Sequence, residues 1–517
     1  METKVLNART RVERRAEPPV YRQQVTKAVN PATFEVIGTV PMTSEGQIPG
    51  FVGRARRAAA VWGASSFQDR ARALARLRDL VAQRAPELAA AVSAGMGKPL
   101  LEALCYDLAM VVEHLEDYIA HAADYLAEQP VALPPGMERK RALVRYAPRG
   151  VVAVISPWNY PFELAMTPAI SALAAGNAVL VKPTSAAPLV GEAIERLFND
   201  AFTDWPGLAQ VLHGPGKLGT SLALADGVDF VAFTGSTAVG RRLQAELAHL
   251  LRPALLELGG SDPMIVCEDA NVERAARAAV FGRFSNNGQV CAAVKRVYVH
   301  TAVAKPFIEK VVAHARALRL GPYQDPGVDV GPLANDRAIG TLRSLLHDAL
   351  DKGAKLETGG FPAIQAGFFW PPTVISNVDH SMRIMREESF GPILPIQIVM
   401  DDEEAIELAN NNEYGLDAYV FSQDLARADR IARRLQAGSV DINEVIVNYV
   451  IRDLPFGGNK QSGINRCHGP MGLRLFTEPR SLVIDDGVND TEPTWFPYDQ
   501  AKLQAARERF AGHALRG

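Results

Sequence analysis

The sequence predicts an α/β protein built on a parallel, doubly wound sheet and divided into more than one domain. Three observations carry this. Short, continuous apolar runs, "VVAVIS" (Val151–Ser156), "AVLVKP" (Ala178–Pro183) and "VDFVAFTGS" (Val228–Ser236), are separated by helical segments. Strands buried on both faces within βαβ units have this pattern. Residues 52–90 and 100–127 carry Ala, Arg and Leu at helical spacing and read as surface helices with one buried face. At 517 residues the chain exceeds what one hydrophobic core holds, so two or three domains are expected.

The elements follow in order. Residues 1–16, "METKVLNARTRVERRA", are basic and have no apolar stretch of the secretory type; a flexible arm is expected over residues 1–24. "GMGKP" (Gly95–Pro99) ends like a phosphate loop but lacks its first glycine and has Pro where Ser or Thr must bind magnesium, so that reading is rejected. Leu164–Val181 is 18 residues long and uncharged, the length of a membrane span. Pro168, Gly176 and Asn177 argue instead for a soluble helix, a turn and a buried strand, and no integral membrane segment is expected. Beyond Cys291, Lys295–His300 alternates like a strand and Pro306–Leu318 has helical spacing. Further strands are expected at residues 391–399 and 417–422. Residues 485–499 read as a linker, and a weakly amphipathic helix bearing Leu503, Ala506 and Phe510 follows. Its thin apolar face suits packing on a neighbouring surface better than a membrane.

Composition excludes several classes. The net charge is −3, which gives no pull toward nucleic acid. The four cysteines, Cys105, Cys267, Cys291 and Cys467, include no CxxC pair. That disfavours a disulfide framework or a metal site and fits a reducing, cytoplasmic compartment.

In parallel sheets, ligands bind beyond the carboxyl ends of the strands, so the residues after each run are the ones to inspect. Gly235 and Gly240 of "FTGSTAVG" are spaced like the outer glycines of a dinucleotide loop. Thr237 fills the middle position, but a strand, a Gly-Ser turn and a helix N-terminus still suit a phosphate. Lys182 closes a buried strand, where a lysine needs a partner; ribose hydroxyls would serve. Glu257 of "LLELGGSDP" lies in an apolar run, where desolvation raises a carboxyl pKa and suits a general base. Cys291 follows the turn "FSNNGQV". A thiolate nucleophile needs a base and oxyanion donors, which Glu257, the Asn159 amide and the Cys291 N–H could supply.

Over about residues 25–485 the chain resembles the NAD(P)-dependent aldehyde dehydrogenase superfamily. The matching stretches, in order, are "GKPLLEA", "ISPWNYP", "VLVKP", "FTGSTAVG", "ELGGSDP", "FSNNGQVC", "EESFGP" and "PFGGNKQSG". The resemblance implies that Cys291 is the nucleophile, Asn159 the oxyanion-binding amide and Glu257 the base for the hydrolytic water. It implies that Lys182 contacts the adenosine ribose, that Trp158 and Ser236 line the pyrophosphate path beside Gly235, and that Glu388 and Phe390 contact the nicotinamide ribose and ring. It also implies an aldehyde dehydrogenase-like fold. A Rossmann-like cofactor domain is expected over residues 25–125 and 149–258, and an α/β catalytic domain over 259–460. A β-strand oligomerisation arm is expected over 126–148 and 470–487, and a C-terminal extension over 488–517. The arm implies a homodimer or homotetramer.

Three departures shape the expectations. Ser185 stands where many NAD-preferring members have Glu; a carboxylate there would repel a 2′-phosphate, so NADP is admitted beside NAD and a preference for it is left open. Ser261-Asp262 replaces a common Lys-Asn or Lys-Ser pair. Thr167 stands where succinate-semialdehyde enzymes often have Arg, which weakens a dicarboxylic semialdehyde reading. A substrate pocket of Phe162, Leu164, Thr167 and Val290 leans toward an aliphatic, terpenoid or aromatic aldehyde, and Glu163 would disfavour an anionic substrate if it faced that pocket. The competing readings are a semialdehyde dehydrogenase, including a CoA-acylating type against which Glu257 counts, and a catalytically silent structural paralog, against which Cys291, Asn159 and Glu257 all count.

Overall fold

The computed structural model describes residues 24–135, 137–362 and 367–514. The expected N-terminal arm therefore lies, apart from Gln24, outside the described residues. Two large sheets organise the chain. The first has six strands, in the order Gly463–Ile464, Ala254–Glu257, Phe230–Thr234, Val151–Ile155, Ala178–Lys182 and Ala209–Val211. All pair in parallel except Gly463–Ile464, which runs antiparallel to Ala254–Glu257. The second has seven strands, in the order Lys355–Thr358, Thr373–Ser376, Ile393–Val399, Val294–His300, Asp262–Val266, Asp417–Phe421 and Ser439–Ile442. Only Lys355–Thr358 is antiparallel there.

The apolar runs are strands because both of their faces are covered. Every residue of Val151–Ile155 and Ala178–Lys182 is buried, so β-branched side chains pack on both sides. In the second sheet the two faces alternate residue by residue. Met264 and Val266 join Phe307 and Val311 on one side. Ile265 and Cys267 join Leu342, Leu346 and Trp370 on the other.

The uncharged stretch resolves into the helix Glu163–Ala174, a turn and the strand Ala178–Lys182. Gly176 makes the turn at φ +94°, a conformation costly for other residues. Asn177 ties it down, donating to the carbonyls of Ala172 at 3.0 Å and Phe476 at 2.9 Å and accepting from Gly150 N at 2.9 Å. Among the described residues no helix is long and apolar enough to cross a membrane.

Helices Ile48–Gly63, Phe67–Gln83, Ala85–Met96 and Met110–Tyr125 precede the first sheet's main strands. Between them, Ala103–Ala109 forms a π-helical turn, which turns Asp107 into the interior. A third sheet pairs Thr477–Asp485 with Lys140–Pro148, and Lys140–Pro148 with Gln129–Val131, all antiparallel. The outer edge of Thr477–Asp485 has no partner strand among the described residues. The terminal helix Gln500–Ala514 leaves Leu503 and Phe510 exposed.

Candidate active site

The carboxyl ends of the first sheet converge on a groove of about 1420 Å³ whose opposite wall comes from residues 335–342, 386–390 and 410–414. Lys182, Ser185, Gly235, Ser236, Trp158, Glu388 and Phe390 all line it. Lys182 is buried, and its Nζ has no hydrogen-bond partner among the described residues. Burial lowers its pKa to about 8, because desolvation penalises the ammonium. Ser236 opens the helix Thr237–His249 without capping it through its own side chain, so the Thr237 and Ala238 N–H groups remain available to a phosphate. Trp158 and Phe390 meet edge to face, with centroids 5.5 Å apart at 88°. A groove with a cation lacking a protein partner, a helix N-terminus and two aromatic rings fits a dinucleotide.

The double glycine of "ELGGSDP" is explained by close approach. A Cβ on Gly259 would lie 2.3 Å from Glu388 Oε2, and one on Gly260 would lie 2.6 Å from the Cys291 carbonyl oxygen. The Gly260 N–H donates to Glu388 Oε1 at 3.1 Å. Lys295 Nζ stands 3.5 Å from the same oxygen and also hydrogen-bonds the Cys291 carbonyl. Glu388, on the groove wall, and Cys291 are thus held by one buried lysine.

Cys291 follows the helix Val272–Phe284, which the Asn271 side chain caps by accepting from Arg274 N at 3.1 Å. The chain then turns through Asn286 (φ 49°) and Asn287 (φ 53°), in the left-handed region that asparagine tolerates. Asn286 Nδ2 donates to the Asn159 carbonyl at 2.9 Å, and Asn287 Nδ2 to the Gly331 carbonyl at 2.7 Å. Asn159 Nδ2 in turn donates to the Gln289 carbonyl at 3.0 Å. The turn therefore locks the Asn159 loop to the segment that carries Cys291. Burial pushes the Cys291 thiol up to about 12, opposed by Lys295.

Cys291 lines both the groove and a second, mostly apolar cavity of about 290 Å³. Leu164, Thr234 and Leu258 are shared in the same way. Met110, Val445, Val450 and Phe456 continue the apolar wall, and Leu164, Thr167 and Val290 lie on it. Phe162 does not, and this corrects the sequence reading. It sits at the start of the helix Glu163–Ala174, its N–H donates to Asp107 Oδ1 at 3.2 Å, and its ring is fully buried in the first sheet's core. Glu163 does face the cavity.

Glu257 ends an interior strand and also lines the cavity. Neither carboxyl oxygen has a hydrogen-bond partner among the described residues. Burial holds its carboxyl well above the ordinary 4.5, with Arg466 opposing. Cys291 thus stands where the groove meets the cavity, with Asn159 on the groove side and Glu257 on the cavity side.

Sequence reasoning missed the groups that hold this chamber. Lys98, in the rejected "GMGKP", donates to the Asn159 carbonyl at 2.8 Å and to Asp107 Oδ2 at 2.8 Å. Glu102 Oε1 accepts from Asn286 N at 2.8 Å and Ser285 Oγ at 3.1 Å. Arg283, fully buried, donates to the Ser389 carbonyl at 2.6 Å and thereby anchors the loop of Glu388 and Phe390. For Arg283, a charge inside a helical segment was the available signal; its partner, far along the chain, was not, and Lys98 and Glu102 carried no such signal.

The sequence pattern of the aldehyde dehydrogenase family matches residues 20–482, and the chain belongs to that family. It is similar to a 4,4'-diapolycopene aldehyde oxidase of Methylomonas sp, 38% identical over 91% of this chain and 88% of that protein. It is similar to the peroxisomal aminoaldehyde dehydrogenase 1 of Pisum sativum, 36% identical over 90% of this chain and 93% of that one. Among solved structures it matches an E. coli NADP dependent enzyme at a TM-score of 0.85, with 31% identity over 89% of this chain and 95% of that chain. The protein is an NAD(P)-dependent aldehyde dehydrogenase. Among the described residues no cluster of three or more His, Cys, Asp or Glu is placed to hold a metal.

Proposed function

We propose that the enzyme oxidises an apolar aldehyde (aliphatic, terpenoid or aromatic) to the carboxylic acid, accepting NADP as well as NAD. The observation that carries this is the position of Cys291, at the junction between the dinucleotide groove and an apolar cavity.

The Cys291 thiol gives its proton to Glu257, which releases it to solvent, and the thiolate attacks the aldehyde carbon and forms a thiohemiacetal. The Asn159 amide and the Cys291 N–H donate to the oxyanion; the amide is already oriented by its bond to the Gln289 carbonyl. A dinucleotide bound in the groove supplies the hydride acceptor. Loss of hydride leaves a thioester on Cys291. Glu257 takes a proton from water, the hydroxide attacks the thioester carbon, and the thiolate leaves with release of the acid. Carboxyl oxygens without protein partners suit that role, because no other proton competes for them.

Lys182 and the first turn of Thr237–His249 would hold the adenosine ribose and the pyrophosphate. Ser185, on the groove wall, places no negative charge against a 2′-phosphate. The mostly apolar cavity wall and the relative named for a diapolycopene aldehyde support the apolar substrate. Glu163 on that wall counts against an anionic semialdehyde. The unpaired edge of Thr477–Asp485 suits pairing in a homodimer or homotetramer. A cytoplasmic setting suits four free cysteines.

The test is initial-rate NAD(P)H formation over succinic semialdehyde, octanal, decanal and benzaldehyde, with each cofactor separately and Cys291→Ala as control. Turnover highest on apolar aldehydes, sustained by NADP and lost in the variant, is expected. Best activity on succinic semialdehyde, or strict NAD use, overturns the substrate or cofactor reading.

A further inference from the structure

One polar group on the apolar cavity wall has no place in the chemistry above. Glu163 is 1% exposed and faces the cavity beside Thr167, Ser171 and Tyr449. Thr167 Oγ1 donates to its Oε1 at 2.8 Å, and Tyr449 OH donates to the same oxygen at 2.6 Å. No described residue hydrogen-bonds Oε2. Glu163 lines the cavity with Oε1 already engaged by two hydroxyls, so Oε2 is the oxygen left to meet a bound molecule.

We infer that Glu163 is a specificity-determining group whose Oε2 hydrogen-bonds a neutral oxygen function, a hydroxyl or a second carbonyl, carried by the aldehyde away from its reacting end. This rests on the reading of the cavity as the aldehyde tunnel to Cys291.

Charge selects among the partners. An anionic end would meet the carboxyl itself. A cationic end would lose its hydration against Met110, Val450 and Phe456. It would also meet the field of Arg452, which is felt at the Glu163 carboxyl and whose Nε and Nη1 are buried without partners. A hydroxyl or carbonyl pays neither penalty. Burial raises the Glu163 carboxyl pKa, with Tyr449, Arg452 and Thr167 opposing; a hydroxyl can pair with Oε2 whether the carboxyl is ionised or protonated, and a carbonyl can pair with its protonated form.

The test uses the full-length enzyme with NADP and a series of n-alkanals, ω-hydroxyalkanals, α,ω-dialdehydes and ω-trimethylammonio aldehydes of matched, increasing length. At the best length, a hydroxyl or second carbonyl is expected to raise kcat/KM about tenfold over the n-alkanal, the worth of one hydrogen bond. Glu163→Leu brings that ratio to about one, and Glu163→Gln, whose amide also donates, keeps most of it. A measurement on the wild type needs no variant: α,ω-diols inhibit n-alkanal oxidation about tenfold more tightly than n-alkanols. Equal rates across the wild-type series, a preference for the cationic aldehydes, or a preference that survives Glu163→Leu overturns the inference. Absence of turnover with every aldehyde overturns the tunnel reading itself, and the inference with it.

Discussion

Lys98 Nζ lies 2.8 Å from the Asn159 carbonyl oxygen and 2.8 Å from Asp107 Oδ2, in an ion pair whose side chains are 1% and 0% exposed. The same ammonium sits 4.0 Å from the Tyr160 ring centroid. One buried cation thus fixes the loop that presents the Asn159 amide to Cys291.

Removing that cation leaves Asp107 buried without its counter-charge. Lys98→Met is expected to destabilise the protein by about 3–5 kcal/mol, seen as a lowered Tm. It should also depress kcat/KM, because the Asn159 carbonyl loses one of its two donors and keeps only Asn286. An unchanged Tm and rate would sink the assignment of Lys98 as a positioning residue.

Burial raises the Cys291 thiol to about 12, so the cofactor-free enzyme holds it protonated at neutral pH. Its alkylation by iodoacetamide, followed by mass spectrometry to separate it from the exposed Cys105, should accelerate about tenfold per pH unit between about pH 7 and 10. A flat profile would mean that the thiolate already exists, with Lys295 outweighing burial.

Glu257 has a raised carboxyl pKa, and its proposed work as a base requires the deprotonated form. Glu257→Gln should keep a burst of NAD(P)H while steady-state turnover falls about 10²–10⁴-fold. The stability consequence has a definite sign. A raised folded pKa favours folding at low pH, and that contribution is lost as pH rises from the ordinary 4.5 through the folded value. The wild type should therefore lose Tm relative to Glu257→Gln over that range. A constant difference would show that the carboxyl is not perturbed.

Ser185 is half-buried on the groove wall, three residues beyond Lys182. Ser185→Glu should lower kcat/KM with NADP about tenfold or more, by charge repulsion at close range, while NAD turnover persists. Equal losses with both cofactors would mean that the position does not face the 2′-phosphate.

Much of this fold was legible because local pattern and tertiary environment agree. Val151–Ile155, Ala178–Lys182 and Phe230–Thr234 are strands where continuous apolar runs predict them. The strand-end residues Asn159, Lys182, Gly235 and Glu257 fall at the sheet's carboxyl edge for the same topological reason. The short strand Gly463–Ile464 was not legible. Two residues carry no periodicity, and their pairing with Ala254–Glu257 is decided two hundred residues away.

The sequence by itself determined the family and the parallel sheets, and it singled out Cys291, Asn159 and Glu257 as the residues proposed for the chemistry, since each rests on residue type and local pattern. Tertiary structure alone decided that Phe162 turns into the core while Glu163, its neighbour, turns into the cavity. At the first residues of a helix, side-chain direction depends on how the chain enters, and here Asp107 fixes that entry from a π-helical turn more than fifty residues earlier. It also decided that Lys98, Glu102 and Arg283 hold the site, because a buried charge finds its partner through packing, and separation along the chain leaves no trace of that contact in the sequence.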